Sequence, residues 1–191
     1  MNNLICFIQI MVFLVCINGC EKSVNTLPLN NTASSPILFA HYYINYAWGY
    51  QYSGWYVDNA GQIYETDKNA ALKLVDINRD TLFSENLMID LLQASSKTNR
   101  KIDAQILSGM KKLIVPASQG QLSKGVDACR DFGVSLYFTF NKYSNENGYK
   151  EILLVQFGDW VQKNQAPEAS ELFMLLREYV DGDTTRLPCY P

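Results

Sequence analysis

Between Ile37 and Tyr56 the chain carries nine aromatic side chains in one short run: Phe39, Tyr42, Tyr43, Tyr46, Trp48, Tyr50, Tyr52, Trp55 and Tyr56. Rings at this density fit a pleated, half-buried surface better than a helix or an open loop. Even positions from Tyr42 to Tyr52 are apolar or aromatic throughout, the period-2 pattern of a strand with one buried face. The pattern predicts Tyr42, Ile44, Tyr46, Trp48, Tyr50 and Tyr52 inside, with His41, Tyr43, Asn45 and Gln51 opposite. Gly49 and Gly54 mark places for a bulge or bend.

The rest of the chain supplies partners for that strand. Trp55-Tyr56-Val57 and Gln62-Ile63-Tyr64 flank Asp58-Asn59-Ala60-Gly61, which reads as a hairpin connection. Thr81 or Ser84 can cap a helix bearing Leu82, Leu87, Met88, Leu91 and Leu92. Ser95 to Thr98 breaks it. A second helix groups Ile102, Ile106, Met110 and Leu113 on one face and stops before Pro116. Ala117 to Val126 reads as a loop. Val134, Leu136, Phe138 and Phe140 alternate with polar neighbours as a strand, Ser144 to Gly148 turns, and Tyr149 to Phe157 returns. Pro167 opens a last helix with Ala169, Leu172, Phe173, Leu176, Tyr179 and Val180 toward the core, and Gly182 suits its C-cap. The order predicts an α+β fold, an antiparallel sheet of about five strands with about three helices mostly on one face.

Ahead of this domain stands an apolar run from Leu4 to Ile17, broken only by Gln9 and ending in Ile17-Asn18-Gly19-Cys20. At about 14 residues it matches a signal-peptide core and falls short of the ~20 of a membrane helix. The run and its terminal Gly-Cys step resemble the signal peptide of a bacterial lipoprotein. Asn18 stands where that family carries a small or apolar residue, and no Lys or Arg precedes Leu4. The resemblance implies cleavage after residue 19, lipid on Cys20, and a polar tether over residues 20–35 leading to one domain over 36–191. Plain secretion and an uncleaved short anchor are the alternative readings. Glu21, in place of an inner-membrane retention Asp, points to the outer membrane over the cell membrane, the protein facing the periplasm or the exterior.

Cysteine usage follows from that processing. Cys6 and Cys16 leave with the signal and Cys20 takes lipid, so Cys129 and Cys189 remain as a pair in an oxidising compartment. A disulfide between them closes a loop of about 60 residues, worth roughly 4 kcal/mol in the chain-entropy model. Two buried free thiols are the alternative. The segment with Cys129, Asp131-Phe132-Gly133, Gly158-Asp159 and Asn164 is also similar to uncharacterised domains of bacterial secreted proteins and lipoproteins, which bring no activity with them.

Composition excludes some functions. The net charge of −3 leaves no basic footprint for nucleic acid, and two cysteines with one histidine make a poor zinc set. No cofactor is expected. His41 could join Asp159 and a serine in a hydrolytic triad, although no Gly-x-Ser-x-Gly is present. Asp58 and Asp159, beside Trp55 and Trp160, are a conceivable glycosidase pair. Asp76-Ile77-Asn78-Arg79-Asp80 opens like a calcium loop but lacks its Gly and Glu. Tyr43, Trp55 and Tyr56 are the aromatics expected to present a ligand-binding surface toward a glycan or an envelope protein. The expected function is binding at the cell envelope, with an envelope hydrolase and a structural or assembly component as alternatives.

Overall fold

A computed structural model describes residues 35–66, 82–143 and 147–182. Their centre is one antiparallel sheet. Its strands are β1 (Ile37–Asn45), β2 (Gln51–Asp58), β3 (Gln62–Thr66), β4 (Ser96–Lys101), β5 (Val126–Asp127), β6 (Val134–Lys142), β7 (Tyr149–Gly158) and β8 (Trp160–Lys163). They lie in the order β4-β3-β2-β1-β6-β7-β8-β5. The α+β class holds, but the sheet has eight strands rather than about five.

Three α-helices cover it: α1 (Glu85–Gln93), α2 (Ala104–Ala117) and α3 (Pro167–Leu176), the last running into a π-helical turn, Arg177–Asp181. The sheet is buried on both faces. Phe39, Trp55, Val57, Tyr137, Leu154 and Phe157 pack against α2 and α3, while Ala40, Tyr42, Tyr56, Leu136, Phe138 and Leu153 pack against α1. Two helices therefore share one face and the third takes the other. With β1 at the centre, neither of its faces meets water along most of its length, which is why Phe39 and Tyr42 are both buried.

The continuous strand expected from Tyr42 to Tyr52 is two strands and a turn. β1 ends at Asn45, β2 begins at Gln51, and the register pairs Asn45 with Gln51, Ile44 with Tyr52 and Tyr42 with Gly54. Asn45 starts the turn through its side chain: Oδ1 accepts the Ala47 N–H at 2.8 Å, a local bond that competes with the strand ladder. Gly49 completes it at φ +94°, a conformation a side chain would strain. The alternating pattern ran through the turn in phase and hid it. Tyr42 and Tyr52 do share one face, but Tyr46 and Trp48 do not reach the core.

The uncounted strands lack a hydrophobic signature. β4 is Ser-Lys-Thr-Asn-Arg-Lys, an edge strand with no apolar residue, and its lysines suit an edge that must not pair with another chain. β5 has two residues. β8 follows β7 after a single residue, the chain reversing at Gly158 with φ +115°.

The first helix opens on Ser84, one of its two expected caps, and the second opens on Asp103, so Ile102 precedes the helix expected to contain it. Ser84 caps α1 by accepting from Leu87 N, and Asp103 caps α2 by accepting from Gln105 N and Ile106 N. Two details differ. α2 continues through Pro116 to Ala117, and its buried stripe is Leu107, Met110, Ile114 and Ala117, with Ile106 and Leu113 flanking. Gly182, at φ +70°, caps the π-helical turn. The Asp58 hairpin forms as expected, its Oδ1 accepting from Ala60 N and Gln62 N, both at 2.8 Å.

Cys20, Cys189 and the Asp76–Asp80 segment lie outside the described residues. Cys129 is half-buried and disulfide-bonded.

Candidate functional site

One end of the sheet gathers the turn between β1 and β2, the start of β6 and the reversal between β7 and β8. Its foundation is a network of bonds to the backbone. The Asp159 carboxylate accepts from Phe132 N at 2.9 Å and Gly133 N at 3.0 Å. Its own N–H donates to Gly133 O, and its carbonyl accepts from Ala128 N. Tyr43 then links this loop to the turn, its hydroxyl donating to Phe132 O at 3.1 Å. Asn45, buried, donates through Nδ2 to Tyr43 Oη and to Asp131 O. Asn45 therefore ties both the turn and the neighbouring loop to the sheet.

On this base stand the exposed rings. Trp48 is 79% exposed and Tyr46 65% exposed. Tyr46 leans on Tyr50, with ring centroids 5.3 Å apart and planes tilted by 40°. Phe132 and Trp160, 36% and 41% exposed, occupy the same end. Leaving a Trp almost wholly in water forgoes a contribution of several kcal/mol from burial, so this tip is costly unless something covers it. The run from Ile37 to Val57 contains no Asp, Glu, Lys or Arg, so the turn and its rings are uncharged.

These are not the aromatics the alternation selects. Trp55 and Tyr56 are buried, because β2 lies between β1 and β3 with helices over both faces, so neither can present a ring to a ligand. Tyr43 is half-buried and its hydroxyl is committed to the loop. Trp48, expected inside, is the most exposed large apolar side chain among the described residues. Only the pairing of Asn45 with Gly49 as turn formers could have revealed it.

Comparison with known proteins offers no assignment. No protein-family model, no curated protein and no solved structure matches the chain. The site therefore has to be read from its own chemistry.

That chemistry does not converge on a reaction. The His41 ring lies 4.4 Å from Tyr137 and 5.6 Å from Trp55. Its Nε2 is buried without a hydrogen-bond partner, and burial lowers its pKa to about 3, so the ring is neutral and holds neither a serine nor Asp159. Asp159 is occupied with backbone N–H groups at the sheet end. Asp58 stands at the other end: it pairs with Ile37, whereas Asp159 follows Gly158, whose partner Val134 pairs with Ile44. The stretch of β1 from Ile37 to Ile44 spans roughly 23 Å at about 3.3 Å per residue, far beyond the ~5–9.5 Å of paired glycosidase carboxylates.

A half-buried polar group without a sequence signal is Asp181, on the π-helical turn. Its Oδ1 accepts from Trp55 Nε1 at 2.8 Å and its Oδ2 from Tyr137 Oη at 2.6 Å. Burial raises the Asp181 pKa, opposed by those two donors and by the charges of Arg177 and Arg100. The arrangement locks the last helical turn onto β2 and β6. A shallow depression of about 460 Å³ between the ends of α2 and α3 is lined by Gln119, Gln121, Gln165 and Glu168 among others. Neither the buried histidine nor an exposed ring borders it. Among the described residues no three His, Cys, Asp or Glu side chains cluster as a metal site.

Proposed function

We propose that this chain is a lipid-anchored protein of the bacterial cell envelope that works by binding, through the aromatic end of its sheet. The observation that carries the binding half is Trp48, displayed to solvent at the tip of a turn that Asn45, Tyr43 and Asp159 hold in place. A turn held at its base loses less backbone freedom when it meets a ligand, so more of the contact energy appears as affinity. The anchoring half rests on Ile17-Asn18-Gly19-Cys20, with lipid on Cys20. The disulfide at Cys129 fits the oxidising compartment of such a protein, with Cys189 as its proposed partner. Ile37 and Asn45 bound β1, roughly 26 Å apart at about 3.3 Å per residue. The binding end is thus at the opposite end of β1 from Ile37.

Two measurements on the same protein test the proposal. Wild type incorporates a labelled fatty acid and partitions into detergent, and Cys20→Ala does neither. Wild type pulls down isolated cell-envelope fragments, and Trp48→Ala does not. Equal lipid labelling of the first pair refutes the anchor, and equal capture by the second pair refutes the binding surface.

A further inference from the structure

The nature of the aromatic end narrows what it can hold, and this step rests on the binding reading above. We infer that its ligand is a neutral glycan chain of equatorially linked pyranose rings, one of them stacked on the Trp48 indole. Three features of the surface select that class.

The first is charge. Tyr46, Trp48 and Tyr50 belong to a stretch without a single Asp, Glu, Lys or Arg. An anionic ligand would find no cation in the turn itself, and on the adjoining segment exposed Lys124 and Arg130 are balanced by exposed Asp127 and Asp131.

The second is area. A large aromatic side chain presents about 150–250 Å², so Trp48 and Tyr46, at 79% and 65% exposure, offer together on the order of 300 Å². A stable protein interface takes about 800 Å² from each partner. These two rings alone supply less than half of that, an area that a few sugar rings would cover.

The third is shape and rigidity. Trp48 and Tyr46 project into solvent from the tip of the turn, so the faces of these rings are open to a flat ligand. An equatorially linked pyranose has flat faces of C–H bonds that stack on an indole, and hydroxyls at its rim that stay solvated. The Tyr46–Tyr50 pair holds a second aromatic surface on the same turn. The held turn supplies the platform ready-made.

The test uses the full chain in mild detergent, as wild type, Trp48→Ala and Trp48→Phe. The probes are neutral β-1,4-linked hexasaccharides of glucose and of N-acetylglucosamine, lipid vesicles with and without anionic lipid, and envelope fragments pretreated with protease or with periodate. Periodate opens sugar rings at vicinal diols. Wild type is expected to bind at least one hexasaccharide with a blue shift of tryptophan emission. Trp48→Phe should bind within about tenfold of wild type, and Trp48→Ala more than tenfold more weakly, with circular dichroism unchanged in both. Envelope capture should survive protease; periodate should abolish it where the glucose hexasaccharide is the one bound, whereas 1,4-linked N-acetylglucosamine, with no vicinal diol inside the chain, should resist periodate. Trp48-dependent capture that survives periodate but not protease, with neither hexasaccharide bound, would overturn the glycan and leave the binding reading intact. Trp48-dependent vesicle binding or self-association without sugar binding would overturn it as well. Absence of any envelope capture by wild type would overturn both readings.

Discussion

Acid should unfold this domain by way of His41. The imidazole is packed between Trp55 and Tyr137, with Nε2 buried and unpaired, and burial lowers its pKa from 6.5 to about 3. In the unfolded chain the same ring takes a proton near pH 6.5. Between these values the unfolded state binds a proton that the folded state refuses, so stability present above pH 6.5 is lost as pH falls toward 3. Each pH unit in that window costs about 1.4 kcal/mol. At pH 4.5 the loss approaches about 2.7 kcal/mol, a large share of a stability of ~5–15 kcal/mol. Asp181 acts in the opposite direction. Its pKa is raised in the fold, so the folded state takes up its proton first and is favoured as pH falls through that range. Comparing wild type with His41→Leu cancels this contribution, because both keep Asp181. Urea unfolding at half-unit steps from pH 7.5 to 4.5 gives the two profiles. Wild type should lose about 2–3 kcal/mol relative to His41→Leu over the series. Parallel profiles would refute the reasoning, and would mean that the imidazole is solvated or finds an acceptor on protonation.

Other perturbations separate structure from surface. Trp55→Phe keeps the ring but leaves Asp181 Oδ1 unpaired, and should cost about 1–3 kcal/mol in urea unfolding. Asp159→Ala removes acceptors from Phe132 N and Gly133 N and should cost about 1–3 kcal/mol, with faster amide exchange at both positions as its signature. Non-reducing peptide mapping should find Cys129 joined to Cys189. Cys189→Ser should then lower stability by roughly 2–5 kcal/mol, and free alkylation of Cys129 in native, unreduced protein would contradict the bridge.

Where hydrophobic periodicity was strong, the fold was legible. Ser84 announced one helix start, Pro167 another, and Asp58 to Gly61 a hairpin, because each rests on local chemistry carried by one or two residues. β4 was invisible because its residues are all polar and only its pairing with β3 makes it a strand. Trp48 was misplaced for a related reason. Alternation measures phase along the chain, and the Asn45–Gly49 turn reversed direction without changing that phase. The half-buried acid Asp181 could not be anticipated either, since its partners Trp55 and Tyr137 come from strands far away in sequence. What the sequence did carry was the concentration of aromatics from Ile37 to Tyr56. Tertiary structure divides them: Phe39, Tyr42, Trp55 and Tyr56 build the core, and Tyr46 and Trp48 are left for a ligand.

The most direct test of binding by the sheet end is a paired measurement on wild type and Trp48→Ala, taking the melting temperature and envelope-fragment capture from the same preparation. Trp48 makes little of the core, so the substitution should change stability by no more than about 0.5 kcal/mol. Unchanged melting with capture reduced at least tenfold is the predicted result. Unchanged capture, or a lowered melting temperature that accounts for the lost capture, would contradict it.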